Sequence, residues 1–241
     1  MEFFMSHRGI HIMSIKASMY RFPHIVRKLF SRAVGRFRGI LFIPPNYLFK
    51  SGLDERSAII DVGCGFDADF SVHMIQTYGF RAIGIDPTRK HHASLADIAR
   101  RMGGRFQHEP LAISAKNGTI PFNESEENAS GSILASHRNI QRDTVKTYDV
   151  ESVDLASLPQ RLGLSHIDYI KLDIEGAEYG LIDRLNQEDV AAYDQIFIEF
   201  HHHALPQYAP SDTLLCARKM ESLGFASFTV DNHNFLFYRA A

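Results

Sequence analysis

Acidic and glycine residues gather at two points of the sequence in a way that suits a nucleoside-bearing ligand. One group directly follows or ends the apolar run 58–62, and the other follows the apolar run 83–85. Glycine lets backbone approach a ligand, and a carboxylate at the end of a strand can accept hydrogen bonds from a ribose diol. The predicted cofactor-binding residues are Asp61, Gly63, Cys64, Gly65, Asp86 and Pro87.

Acids and a histidine also lie at the ends of two later apolar runs. Asp173 and Glu175 follow run 167–172, and Glu199 and His201 lie two residues apart at the end of run 195–200. Side chains two apart on a strand point to the same face, so Glu199 and His201 can act together. These four residues are candidates for acid–base chemistry.

Alternating apolar and polar segments predict the elements that must position these groups. Strands are expected at 58–62, 83–85, 105–108, 111–114, 167–172 and 195–200, and a hairpin at 225–230 and 235–238. Helices are expected at 69–77, 90–102, 176–185 and 211–223, the last capped by Ser211. This order is typical of an α/β fold with parallel strands, whose carboxyl ends meet at one edge. The polar segment 116–143 is predicted to be a long loop or flap over the site.

The first 50 residues form a different kind of segment from residues 51–241. Eight basic residues, Arg8, Lys16, Arg21, Arg27, Lys28, Arg32, Arg36 and Arg38, face a single acid, Glu2, before residue 41. Apolar residues from 15 to 34 recur at helical spacing, so a basic amphipathic helical extension is predicted. It either caps the sheet of the main domain or contacts an anionic membrane or a partner. An organellar presequence is a further alternative.

Composition narrows the class of protein. The two cysteines give no disulfide framework, which favours a reducing, cytoplasmic location with the membrane surface as an alternative. No apolar run reaches the about 18 to 20 residues of a membrane-spanning helix. Nucleic acid is disfavoured as a partner because the basic residues lack interleaved aromatics and no Asn-Pro-Pro-aromatic motif occurs. Oligomeric state is left open by the sequence.

Four motifs together resemble FkbM-type S-adenosylmethionine-dependent methyltransferases. They are Asp61-Val-Gly-Cys-Gly, Gly-Ile-Asp86-Pro87, Lys171-Leu-Asp173-Ile-Glu175-Gly176-Ala-Glu178 and Ile198-Glu199-Phe-His201. The resemblance spans residues 58–238. The sequence departs from the usual pattern at Asp86, where a glutamate is common, and at Cys64 and Phe66, which replace an Ala-Asn pair.

The resemblance implies a seven-stranded, Rossmann-like sheet with its last strand antiparallel and helices on both faces. It also implies S-adenosyl-L-methionine as the cofactor and a hydroxyl on a sugar, glycan or natural product as the acceptor. Because an alcohol must lose its proton, we expect His201 or Asp173 to be the general base, with Glu175 and Glu199 orienting it or binding acceptor hydroxyls.

Three alternatives stay open at this stage. Asp173, Glu199 and His201 have suitable donors for a divalent metal, although a metal is not favoured because several methyltransferases need none. Gly63-x-Gly65-x-x-Ala68 also fits a loose dinucleotide fingerprint, as in an NAD-dependent oxidoreductase. A catalytically silent methyltransferase-like binding module is the third alternative.

Overall fold

The computed structural model describes residues 32–239 of the 241-residue chain. The strands are β1 Ile40–Ile43, β2 Tyr47–Lys50, β3 Ala58–Val62, β4 Arg81–Ile85, β5 Phe106–Glu109, β6 Ala112–Ile113, β7 Gly118–Ser125, β8 Gly131–Ser132, β9 Val145–Val153, β10 Ile167–Leu172, β11 Tyr193–Glu199, β12 Ala226–Thr229 and β13 Asn234–Tyr238. The helices are α1 Asp69–Tyr78, α2 His92–Arg101, α3 Arg138–Gln141, α4 Leu158–Arg161, α5 Glu178–Arg184 and α6 Pro210–Ser222. A 3-10 turn at Arg89–His91 leads into α2, and residues 32–37 are helical.

Seven strands form the main sheet in the order β12-β13-β11-β10-β3-β4-β5. Strand β13 runs antiparallel to both of its neighbours, whereas β10 is parallel to both β3 and β11. The predicted seven-stranded α/β sheet with an antiparallel last strand is therefore confirmed. The chain runs outward in one direction from β3 through β4 to β5 and in the other from β10 to β11. Ligands of open α/β sheets bind at the carboxyl edge of such a switch in strand order.

Side chains of the central strands alternate between two hydrophobic clusters. Ile60 and Ile170 belong to a cluster that includes residues of α5 and α6. Ile59 and Tyr169, one position earlier, belong to a second cluster that includes residues of α1, α2 and the β1–β2 hairpin. Because both faces of these parallel strands are buried, their sequences are almost continuously apolar.

A second, four-stranded sheet has the order β6-β9-β7-β8, and its strands β7 and β8 lie in the segment that was predicted to be a loop. The loop prediction for 116–143 is therefore wrong, although the segment does lie over the site. Polar side chains of β9 and β7 are hydrogen-bonded to each other. Thr147 Oγ1 donates to Asn123 Oδ1 at 2.9 Å, and Tyr148 OH donates to Glu124 Oε2 at 2.5 Å. Because these polar side chains are hydrogen-bonded between strands, the sequence lacks the hydrophobic pattern from which the strands could have been predicted.

The described part of the predicted helical extension is largely a β-hairpin. Strands β1 and β2 pair antiparallel and pack on the main sheet, where Tyr169 OH donates to Leu48 O at 3.0 Å and Lys50 N–H donates to Gln195 Oε1 at 2.7 Å. The helical prediction is thus wrong for residues 40–50, and residues 1–31 lie outside the described part of the chain. No helix within residues 32–239 has the length and apolar composition to cross a bilayer. Contact of the basic segment with a membrane surface stays a prediction.

The start of α6 differs from the predicted cap. The helix begins at Pro210, and the Asp212 carboxylate accepts a hydrogen bond from the Ala209 N–H at 2.7 Å. Ser211 lies inside the first turn and is therefore not the cap. Proline is suited to the first helical turn because it lacks the N–H that would have no partner there.

Candidate active site

The glycine turn after β3 lies against the end of β10. Gly63 has a φ of +72°, and a Cβ added to it would stand 1.7 Å from the carbonyl oxygen of Asp173. The Asp173 N–H donates to Val62 O at 3.1 Å, which joins the two strand ends. Glycine fits both this left-handed backbone and the close approach. The predicted cofactor turn and the predicted catalytic acid therefore share one edge.

A cavity opens at this edge, between the main sheet and β7–β8. Its acidic lining residues are Asp67, Asp86, Asp173 and Glu175. The glycine turn with Gly63 and Gly65 lines it as well, and so do Pro87 and residues 129–133, which include β8 of the second sheet. We call this space the acid-lined cavity. Most of the predicted cofactor-binding and catalytic residues meet at it.

Asp86 is held by three groups at the wall of the cavity. Gly65 N–H donates to its Oδ2 at 2.9 Å, Thr88 N–H donates to its Oδ1 at 2.8 Å, and His91 Nδ1 lies 3.2 Å from Oδ2. Burial alone would raise the pKa of Asp86, but the contacts with His91 and Thr88 hold that pKa below its usual value. An ionised Asp86 thus fixes the glycine turn and the start of the next helical segment while it faces the cavity.

Lys171 joins two of the predicted site acids beneath the glycine turn. Its Nζ lies 3.2 Å from Asp61 Oδ1 and 3.3 Å from Asp173 Oδ2, and the Lys171 residue is only 2% exposed. Burial would lower the pKa of Lys171, but the two carboxylates outweigh burial, and its pKa lies well above the usual value. The Tyr47 ring of β2 covers this ammonium at 5.6 Å. The hairpin therefore shields the ion pairs from solvent.

Two predicted cofactor-binding side chains, Asp61 and Cys64, do not line the acid-lined cavity. Asp61 is fully buried, and its Oδ2 accepts a hydrogen bond from Ser71 Oγ at 2.8 Å while Lys171 pairs with Oδ1. Cys64 packs into the second hydrophobic cluster, and burial raises the pKa of its thiol well above the usual value. Both side chains turn inward beneath the glycine turn, and their part in cofactor binding stays a prediction.

His201 follows β11 and is surrounded by carboxylates. Its Nδ1 lies 3.0 Å from Glu178 Oε1, and its Nε2 lies 3.4 Å from Asp173 Oδ1 and 3.8 Å from Glu175 Oε2. Burial would lower the pKa of His201, but these carboxylates, with Glu178 foremost, raise it to about 10. The imidazole is therefore protonated at neutral pH.

At Asp173, burial is the largest influence on the pKa. Burial, together with the nearby carboxylates of Glu199 and Glu175, raises the pKa of Asp173 to about 6, although Lys171 and His201 act in the lowering direction. Its side chain keeps a quarter of its surface exposed, at 25%. Asp173 is thus a partly accessible carboxylate that can gain and lose a proton near neutral pH.

Glu175 connects the acid-lined cavity to the second sheet. Its backbone has a φ of 52°, a left-handed conformation that is unusual for glutamate. Ser132 Oγ of β8 donates to its carbonyl at 3.0 Å, and His137 Nε2 lies 2.8 Å from its Oε2. Burial would raise the pKa of Glu175, but His137 and His201 keep it below the usual value. The strained conformation is thus held by contacts from β8 and from the residue just before α3.

Glu199 is near this group but is not bonded to His201. Its Oε1 lies 3.5 Å from His233 Nε2, in the turn before β13. Burial would raise the pKa of Glu199, but His233 and His201 lower it. The predicted joint action of Glu199 and His201 is therefore limited to an electrostatic influence.

One group of possible metal ligands lies at a distance from the predicted catalytic acids. Within residues 32–239, the group with three donors close enough together to hold an ion is His166, Asp168 and Asp194. These residues lie at the amino ends of β10 and β11, at the edge opposite the acid-lined cavity. Asp168 already accepts a hydrogen bond from the Ala58 N–H at 2.7 Å, and His166 Nε2 lies 2.9 Å from Asp194 Oδ2.

Two histidines of the site were not predicted from the sequence. His91 lines the acid-lined cavity, five residues after Asp86, and His137 reaches Glu175 from the segment predicted to be a loop. A histidine at the start of a predicted helix after a strand-end acid is a weak pattern that could have identified His91. The position of His137 depends on the fold of the second sheet, which the sequence pattern did not predict.

Comparison with known proteins places this geometry in a family. A family model described as "Methyltransferase FkbM domain" matches residues 61–226. No curated protein matches the chain. Among solved structures, the Methanococcus jannaschii fibrillarin pre-rRNA processing protein is 11% identical with a TM-score of 0.48, over 86% of this chain and 73% of its own. A methyltransferase from Pyrococcus furiosus is 10% identical with a TM-score of 0.40, over 90% and 98%. Since the family model covers more than half of the sequence, the chain belongs to the FkbM methyltransferase family.

Proposed function

We propose that this methyltransferase transfers a methyl group from S-adenosylmethionine to a hydroxyl of a sugar, glycan or natural-product acceptor. The observation that carries the proposal is the charge of the acid-lined cavity. Four acids line it, and no lysine or arginine of the described residues does. Such a lining attracts a cation and repels an anion, because a cleft lined by charges of one sign concentrates their field.

This charge distinguishes the two cofactors that the glycine turn could accept. S-adenosylmethionine, when bound, supplies an electrophilic methyl group on a positively charged sulfonium. A nicotinamide dinucleotide carries an anionic pyrophosphate, which the acid-lined cavity disfavours. Gly63 and Gly65 allow close approach of backbone, and the ionised Asp86 stands at the wall of the cavity for hydroxyl recognition.

Asp173 is the better of the two candidate general bases. Its carboxylate has a raised pKa of about 6 and a partly exposed side chain, so it can take up the acceptor's proton near neutral pH. His201 is held protonated by Glu178 and has no free nitrogen lone pair to act as a base. We therefore assign His201 the role of a fixed positive charge that orients Asp173 and Glu175.

The acceptor side of the cavity favours a neutral, hydroxyl-rich molecule. Glu175 can accept hydrogen bonds from hydroxyl groups, and Ser132 of β8 and the nearby Ser130 line the same space. A polyanionic acceptor such as nucleic acid would need cationic contacts with its phosphates. The lining described above lacks lysine and arginine, which supports a sugar or natural-product acceptor instead.

Ligand binding separates the cofactor alternatives. Isothermal titration of the full chain with S-adenosylhomocysteine should give saturable one-to-one binding, whereas NAD should give none. An Asp86→Ala variant should weaken S-adenosylhomocysteine binding, and a matched change at the exposed Asp97→Ala should not. Binding of NAD in place of S-adenosylhomocysteine would refute the proposal. Binding of S-adenosylhomocysteine without turnover on any acceptor would support the silent module instead.

A further inference from the structure

His91 is a buried histidine with one ring nitrogen that the protein leaves without a partner. Its side chain is only 5% exposed, and the residue lines the acid-lined cavity. Nδ1 lies 3.2 Å from Asp86 Oδ2, whereas Nε2 has no hydrogen-bond partner among residues 32–239. A buried polar atom without a partner is unfavourable, so a neighbouring ligand is the natural partner for Nε2.

The contact with Asp86 sets the chemistry of Nε2. An ionised carboxylate only accepts hydrogen bonds, so Nδ1 must carry the proton that it donates to Asp86. In the neutral ring the other nitrogen is then an acceptor. His91 Nε2 is therefore suited to a ligand group that donates a hydrogen bond, such as a hydroxyl.

Asp86 itself has limited freedom to reach a ligand. Both of its oxygens accept backbone hydrogen bonds, from Thr88 and from Gly65. Its side chain is also one methylene shorter than the glutamate that is usual at this position of the family. His91 lies directly beyond the Asp86 carboxylate and extends the hydrogen-bonding surface of the cavity wall.

We propose that His91 binds the ribose of the methyl donor: its Nε2 accepts a hydrogen bond from a ribose hydroxyl, and Asp86 positions the ring. This inference rests on the proposed function, because it requires a nucleoside in the acid-lined cavity. It divides recognition of the nucleoside between an acid that orients and a histidine that contacts the ligand.

Two substitutions at residue 91 separate contact with the ligand from support of Asp86. His91→Asn keeps a donor near the position of Nδ1 and removes the acceptor at Nε2, whereas His91→Gln keeps an acceptor near Nε2 and removes the donor to Asp86. His92→Asn is the matched control, because His92 also has a buried Nε2 without a partner in the described chain but does not line the cavity. Affinity for S-adenosylhomocysteine is measured by isothermal titration.

The proposal expects His91→Asn to weaken binding about tenfold, the equivalent of one hydrogen bond, with His91→Gln and His92→Asn within about threefold of the unsubstituted chain. The 2′-deoxy and 3′-deoxy analogues of S-adenosylhomocysteine each lack one ribose hydroxyl. The analogue that lacks the hydroxyl bound by His91 should bind the unsubstituted chain and His91→Asn with equal affinity. In the unsubstituted chain, the ¹⁵N resonance of His91 Nε2 should shift when S-adenosylhomocysteine is added, which needs no variant to fold.

Some results would contradict the contact between His91 and the ribose, and another would contradict the proposed function as well. Normal binding by His91→Asn with weak binding by His91→Gln would mean that His91 acts only through Asp86. If His91→Asn weakens the binding of both deoxy analogues as much as it weakens the binding of S-adenosylhomocysteine, a ribose hydroxyl is not the donor. If S-adenosylhomocysteine binds all variants equally and leaves the Nε2 resonance unmoved, this inference alone fails. If the unsubstituted chain does not bind S-adenosylhomocysteine, the proposed function fails with it.

Discussion

His201 Nδ1 lies 3.0 Å from Glu178 Oε1, and this buried contact determines the charge of the imidazole beside Asp173. The same Glu178 oxygen accepts a hydrogen bond from the Ile174 N–H at 3.0 Å, which fixes the carboxylate in the turn between β10 and α5. Glu178 is itself fully buried. An uncompensated carboxylate there would be costly, so the pair favours the imidazolium form.

The protonated His201 makes stability depend on pH in the alkaline range. Since the folded-state pKa of about 10 lies above the ordinary 6.5, the stabilisation is complete below pH 6.5 and is lost as pH rises through about 10. The difference in free energy of unfolding between the unsubstituted chain and His201→Gln should therefore shrink over that range. Urea denaturation at several pH values measures this difference. A difference that is constant with pH would show that His201 is neutral when folded.

Gly63→Ala should destabilise the fold strongly. The substitution combines a left-handed backbone with a Cβ 1.7 Å from the Asp173 carbonyl, so we expect a loss of more than about 3 kcal/mol in the free energy of unfolding. Gly65→Ala is the matched control: its φ is +68°, but the nearest atom to a Cβ is 3.8 Å away. It should cost about 1 to 2 kcal/mol. Equal losses in urea denaturation would mean that the contact with Asp173 can relax.

Lys171→Met should also destabilise the fold, because it leaves Asp61 and Asp173 without their cation. Removing one partner of a buried ion pair typically costs about 3 to 5 kcal/mol. Lys146→Met is the control, since Lys146 pairs with Glu126 at the exposed surface, where an ion pair contributes little to stability. Adding Asp61→Asn to Lys171→Met should recover part of the loss. If Lys171→Met is no more harmful than Lys146→Met, the ion pairs do not stabilise the site.

The rate of methyl transfer should fall in acid as Asp173 becomes protonated. With a pKa of about 6, a general base at Asp173 is active above that pH and is lost below it. Asp173→Asn should lower kcat by about 10²- to 10⁴-fold. Asp67→Asn, at an exposed acid of the same cavity, should have a much smaller effect. An unchanged pH profile in Asp173→Asn would assign the acid limb to another group.

The sequence predicted those parts of the fold whose signal is local. Strands such as β3 and β10 are continuous apolar runs because they are buried on both faces, and Asp86 and Asp173 could be located because acids follow such runs directly. The second sheet was not predicted, because the polar side chains of Asn123 and Glu124 are buried and hydrogen-bonded to the neighbouring strand.

The inward orientation of Asp61 and the roles of His91 and His137 depend on contacts between distant segments. Asp61 meets Lys171 across neighbouring strands, and His137, just before α3, meets Glu175 in the turn after β10. Periodicity in a single segment carries no information about such pairs. The protonation of His201 likewise follows from Glu178 in the preceding helix α5, although both residues stand in the motifs that carried the resemblance.

The most direct test of the account is transfer of a ¹³C-labelled methyl group from S-adenosylmethionine to a pool of sugars, glycans and small hydroxylated metabolites. The ¹³C chemical shift of the product distinguishes a methyl on oxygen from one on nitrogen or carbon. We expect label on oxygen with the unsubstituted chain and little label with Asp173→Asn. Label on nitrogen or carbon, or equal labelling by both proteins, would contradict it.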